Sequence, residues 1–472
     1  MHPAEAQAEY RGRGRATWRG SRGQRPFRGL RGRGTAARGF RADPSAPRDA
    51  PPRAPPDKDL LDGLTPTPLR TVPRPALVGQ AKPVVVTDMK VLGSYNWGKA
   101  PEPTIVVPGS PPQWRNRPLP YQVELDRGLA FVDENAFRAP NRYALLPLIA
   151  AVDKTCEIES LAGDKFDWAG EHADFLTTRN VLRRLLRWVD SPTDPGSEQF
   201  VDDFRIDTQL AGSTVLLNRW EKCDQQEMVW WSYGLNFEKA TTTPASGITE
   251  NTGHQRIISY DLDGLRMVVR FEVDAYLPEN MKPKPKLEAE ELTFANLAAR
   301  LAGIDLATPK FQIPSHASPP SSRASASPEP FTCYHGLRVV EAGTPIPQRN
   351  LVDLSTRSER RMLDIDWSDF YIQHFLSQID MHFVGVHERG LFSRVVKRSV
   401  LENDTGSEDL GAKIQPTLRK LRVALDTIRD SVLEHGQRGR LSLVCRQGEL
   451  QVFERPSMAS CLPQEILDRF IE

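Results

Sequence analysis

Apolar positions keep no regular period until Val84-Val85-Val86; beyond that point the spacing switches repeatedly between helical and alternating. Over Phe175–Val189, Leu182, Leu185, Leu186 and Val189 share one face, which predicts a helix. Arg205–Trp220 alternates on either side of Ala211-Gly212-Ser213, and His254–Tyr260 faces Leu265–Tyr276 across Asp261-Leu-Asp-Gly264. Both read as hairpins. Trp367–Ile379 predicts an amphipathic helix, followed by a hairpin of Phe383–Val386 with Phe392–Val396 over Glu388-Arg389-Gly390. A helix over Pro416–Leu433, a hairpin of Leu441–Cys445 with Leu450–Phe453, and a closing segment Gln464–Ile471 complete the pattern. Hairpins interleaved with helices predict an α+β domain, a mixed β-sheet core flanked by helices.

Two stretches break the pattern. Residues 1–82 read as a disordered tail, with Arg-Gly steps from Arg11 to Arg38 and then a Pro-rich run, a composition too poor in apolar area to offset ordering. The domain is expected at 83–472. Inside it, residues 281–332 read as a low-complexity insertion with a helix near Leu287–Ala302 and a Pro/Ser run from Pro314 to Pro330.

Charge sharpens the division. Residues 1–50 carry 12 arginines against Glu5, Glu9, Asp43 and Asp49, about +8; with the whole chain at +1, the remainder carries −7. Arginines interleaved with Tyr10, Trp18, Phe27 and Phe40 suit flexible RNA binding, by phosphate pairing and base stacking; a solubilising or localising tail is the plainer alternative. The five cysteines are scattered and never spaced C-x-x-C, so neither a zinc site nor a disulfide-linked partner is expected. No apolar run reaches the ~20 residues that span a bilayer. The expected setting is intracellular, nuclear or cytoplasmic, without membrane association. The sequence holds no G-x-x-x-x-G-K-[ST], so P-loop nucleotide hydrolysis is unsupported.

Candidate chemistry gathers in acidic residues. Glu238 lies in Gly234-Leu-Asn-Phe-Glu238, Glu272 and Asp274 in Arg270-Phe-Glu-Val-Asp274, and Asp353 in Leu351-Val-Asp353-Leu-Ser355. On a strand, residues i and i+2 share a face, so Glu272 and Asp274 are expected together, with Asp353 on an adjacent strand. Carboxylates that converge repel one another unless a hard cation such as Mg²⁺ or Mn²⁺ joins them, and such an ion can activate water for phosphodiester hydrolysis. A solvated acidic sheet face explains the same residues without a metal.

The ordered set Arg179, Gly234-x-x-Phe237-Glu238, Glu272-x-Asp274, Asp353-x-Ser355 and Gln378 resembles the DXO-type decapping exonucleases. Those proteins carry an Arg, G-x-x-F-E, E-x-D, E-x-K and a late Gln in that order. The resemblance spans about 82–455 and implies a PD-(D/E)xK-like fold. It assigns Asp274 and Asp353 to direct metal binding and Glu238 and Glu272 to metal-bound waters. Gln378 would position the reacting water, and Arg179 would contact the RNA backbone. It further implies RNA 5′ ends as substrate and a 5′–3′ exonuclease as partner. Gly93-Ser-Tyr-Asn-Trp97 and Pro103–Pro111 are similar to a fungal branch often labelled geranylgeranyl pyrophosphate synthetase. Prenyl-chain elongation needs two facing Asp-rich clusters, and this chain offers only Asp202-Asp203-Phe-Arg-Ile-Asp207.

One departure stands out. Asp353-Leu-Ser355 replaces E-x-K, which withdraws a carboxylate by one methylene and deletes a lysine; losing one such electrostatic group costs about 10²–10³ in rate. Arg357, at the same strand parity as Ser355, is a candidate substitute that would also contact substrate. Three readings follow: a divalent-metal RNA decapping hydrolase weakened by the missing lysine, a non-cutting RNA- or partner-binding relative, and a prenyl diphosphate synthase.

Overall fold

A computed structural model describes residues 57–76, 82–98, 100–160, 163–191, 202–228, 232–245, 253–278, 331–401, 410–436 and 439–471. The Arg-Gly tail up to residue 56, nearly all of the expected 281–332 insertion, and Trp230-Trp231 lie outside these residues.

The described residues form an α+β fold built on two mixed sheets of twelve and seven strands, with a separate two-stranded ribbon. The hairpins sit where the alternation placed them. His254–Leu262 pairs antiparallel with Leu265–Val273, and Met381–Glu388 with Leu391–Ser399. Arg440–Arg446 pairs with Glu449–Glu454. Their two-residue turns, Asp263-Gly264, Arg389-Gly390 and Gln447-Gly448, all hold positive φ, the conformation that matches the twist of paired strands.

The large sheet is covered on both faces. On one, Val181, Leu182, Leu185 and Leu186 of the helix Arg179–Asp190 pack with Ile258, Met267 and Val269, and with Leu421, Leu425 and Ile428 of the long helix Leu410–His435. On the other, Ile257 and Val268 meet Leu148, Ile149 and Val152 of the helix Leu146–Glu159. Neighbouring strand residues thus enter opposite cores, as a pleated strand with period two requires. The smaller sheet encloses a third core, in which Phe237 meets Trp114, Val352, Leu354, Phe383 and Phe392.

Two expectations change, and a third feature stands as the single Asp-rich segment implied. Phe175–Thr178 is a strand, and the helix begins only at Arg179. The ordered fold starts before residue 83: Arg70–Val72 pairs antiparallel with the strand Glu449–Glu454, and Val72 is buried. Asp203 and Asp207 bracket the start of the strand Phe204–Ala211 instead of facing a second Asp-rich helix. Asp207 is ion-paired to Arg205 there, so these aspartates lack the helical cavity a prenyl synthase needs.

Candidate functional site

Arg179 opens its helix, where the Thr178 side chain accepts a hydrogen bond from the Val181 amide and fixes the first turn. Its guanidinium lies over the Phe271 ring, 5.5 Å from the centroid. Nη1 donates to Asp353 Oδ2 at 3.0 Å and to Ser377 Oγ at 3.2 Å, and Nη2 to the Glu272 carbonyl at 3.4 Å. Asp353 sits on the strand Leu351–Ser358 and is 1% exposed. Gln373, from the helix Trp367–Ser377, donates to the same Oδ2 at 2.7 Å, while Asp353 Oδ1 is buried without a hydrogen-bond partner. Burial alone would raise this carboxyl, but Arg179, His374, Gln373 and His382 outweigh it and hold it below the usual carboxylate range.

Ser355 faces the same helix and is 5% exposed. Its Oγ lies 2.8 Å from His382 Nε2, His382 Nδ1 lies 3.0 Å from His374 Nε2, and His374 Nδ1 lies 2.5 Å from the Ile379 carbonyl. Burial pushes both imidazoles down, His382 well below its ordinary value. Arg357 continues the row with its guanidinium 5.6 Å from the Phe370 ring centroid, and burial lowers its pKa as well. Its Nη1 donates to the Thr356 carbonyl at 3.0 Å.

The acids diverge. Asp274 stands between the strand Leu265–Val273 of the large sheet and Ala275–Tyr276 of the small one, so the chain changes sheets there. Ala275 pairs with Val352, which puts Asp274 next to Asp353, and its Oδ2 accepts from the Leu354 amide at 2.8 Å. Glu272 is exposed on the opposite side of its strand from Phe271, the ring beneath Arg179. Only its carbonyl reaches that arginine. Glu238 belongs to the helix Gly234–Thr241, whose Phe237 packs on Val352 and Leu354, the strand face opposite Asp353. Gln378 ends its helix in the left-handed region (φ 51°), and its side chain donates to the Phe375 carbonyl at 2.6 Å.

A divalent ion of the expected kind needs several converging oxygens. Among the described residues, no three His, Cys, Asp or Glu side chains gather to hold one. The guanidinium of Arg179 stands beside Asp353 as its cation, and Asp353 Oδ1 is the carboxylate oxygen left without a hydrogen-bond partner.

Sequence reasoning passed over Gln373, His374, Ser377 and His382. Gln373, His374 and Ser377 form a polar stripe at helical spacing, the one signal that could have found them. It also missed Asp126, whose carboxylate accepts from the Leu235 and Asn236 amides at 3.2 and 2.9 Å and so caps the Glu238 helix from a distant loop.

Residues 69–471 match the family described as Domain of unknown function (DUF8563). Among solved structures, S. pombe Rai1 is 13% identical, covering 80% of this chain and 96% of its own at a TM-score of 0.45. Candida albicans Rai1, in complex with pU5-Mn2+, is 11% identical, covering 85% and 95% at 0.44. K. lactis Dxo1, in complex with manganese, is 8% identical, covering 83% and 97% at 0.44. No curated protein matches the chain. Among the described residues, no helix is long and apolar enough to cross a membrane.

Two outcomes follow from this geometry. Arg179→Met strands a buried carboxylate and should destabilise the fold by about 3–5 kcal/mol, whereas Arg179→Met with Asp353→Leu should recover most of the loss. Urea midpoints of the wild type, both single variants and the double variant measure this; an additive double variant refutes the coupling. Stability should also fall on acidification. An unfolded imidazole binds a proton near its usual value of about 6.5, and folded His374 and His382 bind theirs only lower. The unfolded state therefore holds more protons below about pH 6.5, costing at most ~1.4 kcal/mol per pH unit for each histidine. Asp353 acts in the same sense further down, its contribution being lost as pH falls through its depressed value. Melting temperatures from pH 7.5 to 5 should decline, and His382→Gln should flatten the slope.

Proposed function

The chain belongs to the family described as Domain of unknown function (DUF8563), and from that premise we propose that it binds RNA 5′ ends in the manner of the decapping exonucleases without cutting them at a metal centre. The observation that carries this reading is the Arg179–Asp353 pair. The carboxylate that the resemblance assigns to metal is already neutralised and lies beneath a helix. Glu238, Glu272, Asp274 and Gln378 then mark the inherited positions of a nuclease site, and Arg357 replaces the charge of the missing lysine. The Arg-Gly tail supports RNA as partner, because its guanidinium groups suit phosphate pairing. On this reading a 5′–3′ exonuclease is the natural second partner, since a protein that holds RNA ends without cleaving them needs another activity to consume them.

A divalent-metal hydrolase is the second reading. The feature that favours it is Asp353 Oδ1, a buried oxygen with no hydrogen-bond partner.

The assay incubates the full chain with end-labelled capped, triphosphate and monophosphate RNA in Mn²⁺ and in Mg²⁺. The binding reading expects RNA retention that weakens as salt rises, with log affinity falling by about 0.7 per neutralised phosphate per decade of salt, and intact RNA throughout. Metal-dependent shortening of the RNA overturns it in favour of the hydrolase. In that case Ser355→Lys should raise the rate by roughly 10²-fold and Arg357→Ala should abolish it.

A further inference from the structure

The strands Leu129–Phe131 and Gln225–Glu227 make the two-stranded ribbon that stands apart from both sheets. The ribbon runs on into Asp133, which caps the helix Glu134–Arg138 by accepting from the Asn135 and Ala136 amides. This path sets the Phe131 and Phe137 rings 5.0 Å apart, centroid to centroid, at 36°. The Arg142 guanidinium lies 5.5 Å from the Phe137 centroid and extends the stack to three members. A single exposed phenylalanine needs no explanation, but here two adjoining rings are 42% and 40% exposed, and the Arg142 side chain is 55% exposed. The arginine is also held in place. Asn141 and Arg142 both have positive φ, 50° and 62°, a conformation that L residues rarely adopt. Arg142 forks onto the two Asp224 carboxylate oxygens, each at 3.0 Å, and the Asp224 carbonyl accepts from the Val132 amide at 2.9 Å.

Two neighbours of the stack point to one ligand. Lys58 donates its amide to the Lys222 carbonyl at 2.8 Å, and its Nζ lies 3.7 Å from Asp224, the partner of Arg142. The arginine-rich residues 1–56 therefore join the described fold beside the stack. Glu134, in the helix of Phe137, lies within electrostatic reach of Glu272. Burial raises its carboxyl, Arg138 lowers it, and repulsion from Glu272 raises it further. The stack thus adjoins both the entry of the basic tail and an acid of the inherited site. We propose that Phe131, Phe137 and Arg142 form a stacking site for an unpaired base of single-stranded RNA. Aromatic rings and guanidinium planes both accept a stacked base, and neither demands a particular sequence. Asp224 neutralises Arg142, so the site contributes stacking, while phosphate pairing falls to the tail. The assignment rests on the RNA-binding reading above and adds the place where a base is gripped.

The full chain is titrated with a fluorescently labelled, unstructured 5′-monophosphate RNA, and anisotropy is read at several salt concentrations. Phe131→Ala with Phe137→Ala should bind about 5- to 150-fold more weakly at every salt concentration. The slope of log affinity against log salt should stay that of the wild type, because stacking releases no counterions. Phe131→Trp should match or exceed the wild-type affinity. With 5-iodouridine in the RNA, irradiated wild-type protein should crosslink at Phe131 or Phe137, as read by peptide mass spectrometry. Wild-type affinity in the double alanine variant overturns the stacking site, leaves the RNA reading standing, and gives the rings to a protein partner. A wild-type protein that binds this RNA but crosslinks at neither ring overturns the site equally, whatever the variants do. Wild-type protein that binds no RNA at any salt concentration removes both readings together.

Discussion

A carboxylate removed from water stays ionised only beside a positive charge, and much of the arrangement between the two sheets follows from where that charge is found. Asp353 finds it in Arg179, whose position is set by the first turn of a helix that the capped Thr178 starts. The same guanidinium reaches Ser377 and the Glu272 carbonyl, so a single side chain links a helix start, a helix end, and one strand from each sheet. One turn further along, Arg183 repeats the device with Asp369 at 3.0 Å. The Arg183–Asp369 ion pair and the Arg179–Ser377 hydrogen bond therefore fasten the Arg179 helix to the helix Trp367–Ser377, and the Arg179–Asp353 pair ties it to the strand Leu351–Ser358, where apolar contact alone would leave polar groups unsatisfied. Such pairs add little net stability compared with a well-packed apolar seam, but they fix which turn of one helix meets which turn of the other.

The interior around Ser355 follows a different logic. Two buried imidazoles would be expensive as cations, and here they are held neutral by mutual hydrogen bonding and by one backbone carbonyl. A charged seam and a neutral hydrogen-bonded chain thus lie side by side on one strand face, separated by the two-residue step from Asp353 to Ser355. A lysine at position 355 would merge them.

Much of the fold was legible in the sequence because its hairpins announce themselves. Arg389-Gly390 and Gln447-Gly448 satisfy a left-handed turn, and alternation on both sides sets the register. Phe175–Thr178 was misread as helix for a physical reason. The strand is central and buried on both faces, so it shows no alternation, and its apolar residues join smoothly onto the helical stripe that follows. The site was legible only in part. Strand parity placed Ser355 and Arg357 with Asp353 and paired Asp274 with it. No local pattern could reveal that the chain leaves one sheet and enters another at Asp274, which turns the Glu272 carboxylate away, or that the Glu238 helix covers the opposite strand face. Gln378 drew notice as the late glutamine of a motif, yet Gln373, one and a half turns earlier, touches the acid. A glutamine within an amphipathic helix carries no local signal that separates a buried contact from solvent-facing surface.

The passage from Val273 through Asp274 to Ala275 ties the register of both sheets to one stretch of backbone. Because a strand inverts its faces with every residue, one inserted or deleted residue between Leu265 and Tyr276 would turn apolar side chains outward in both sheets together. The fold has no independent way to absorb such a slip. Tolerance for changes of length belongs instead to its connections, and this short ribbon acts as the gauge against which the two halves of the molecule are measured.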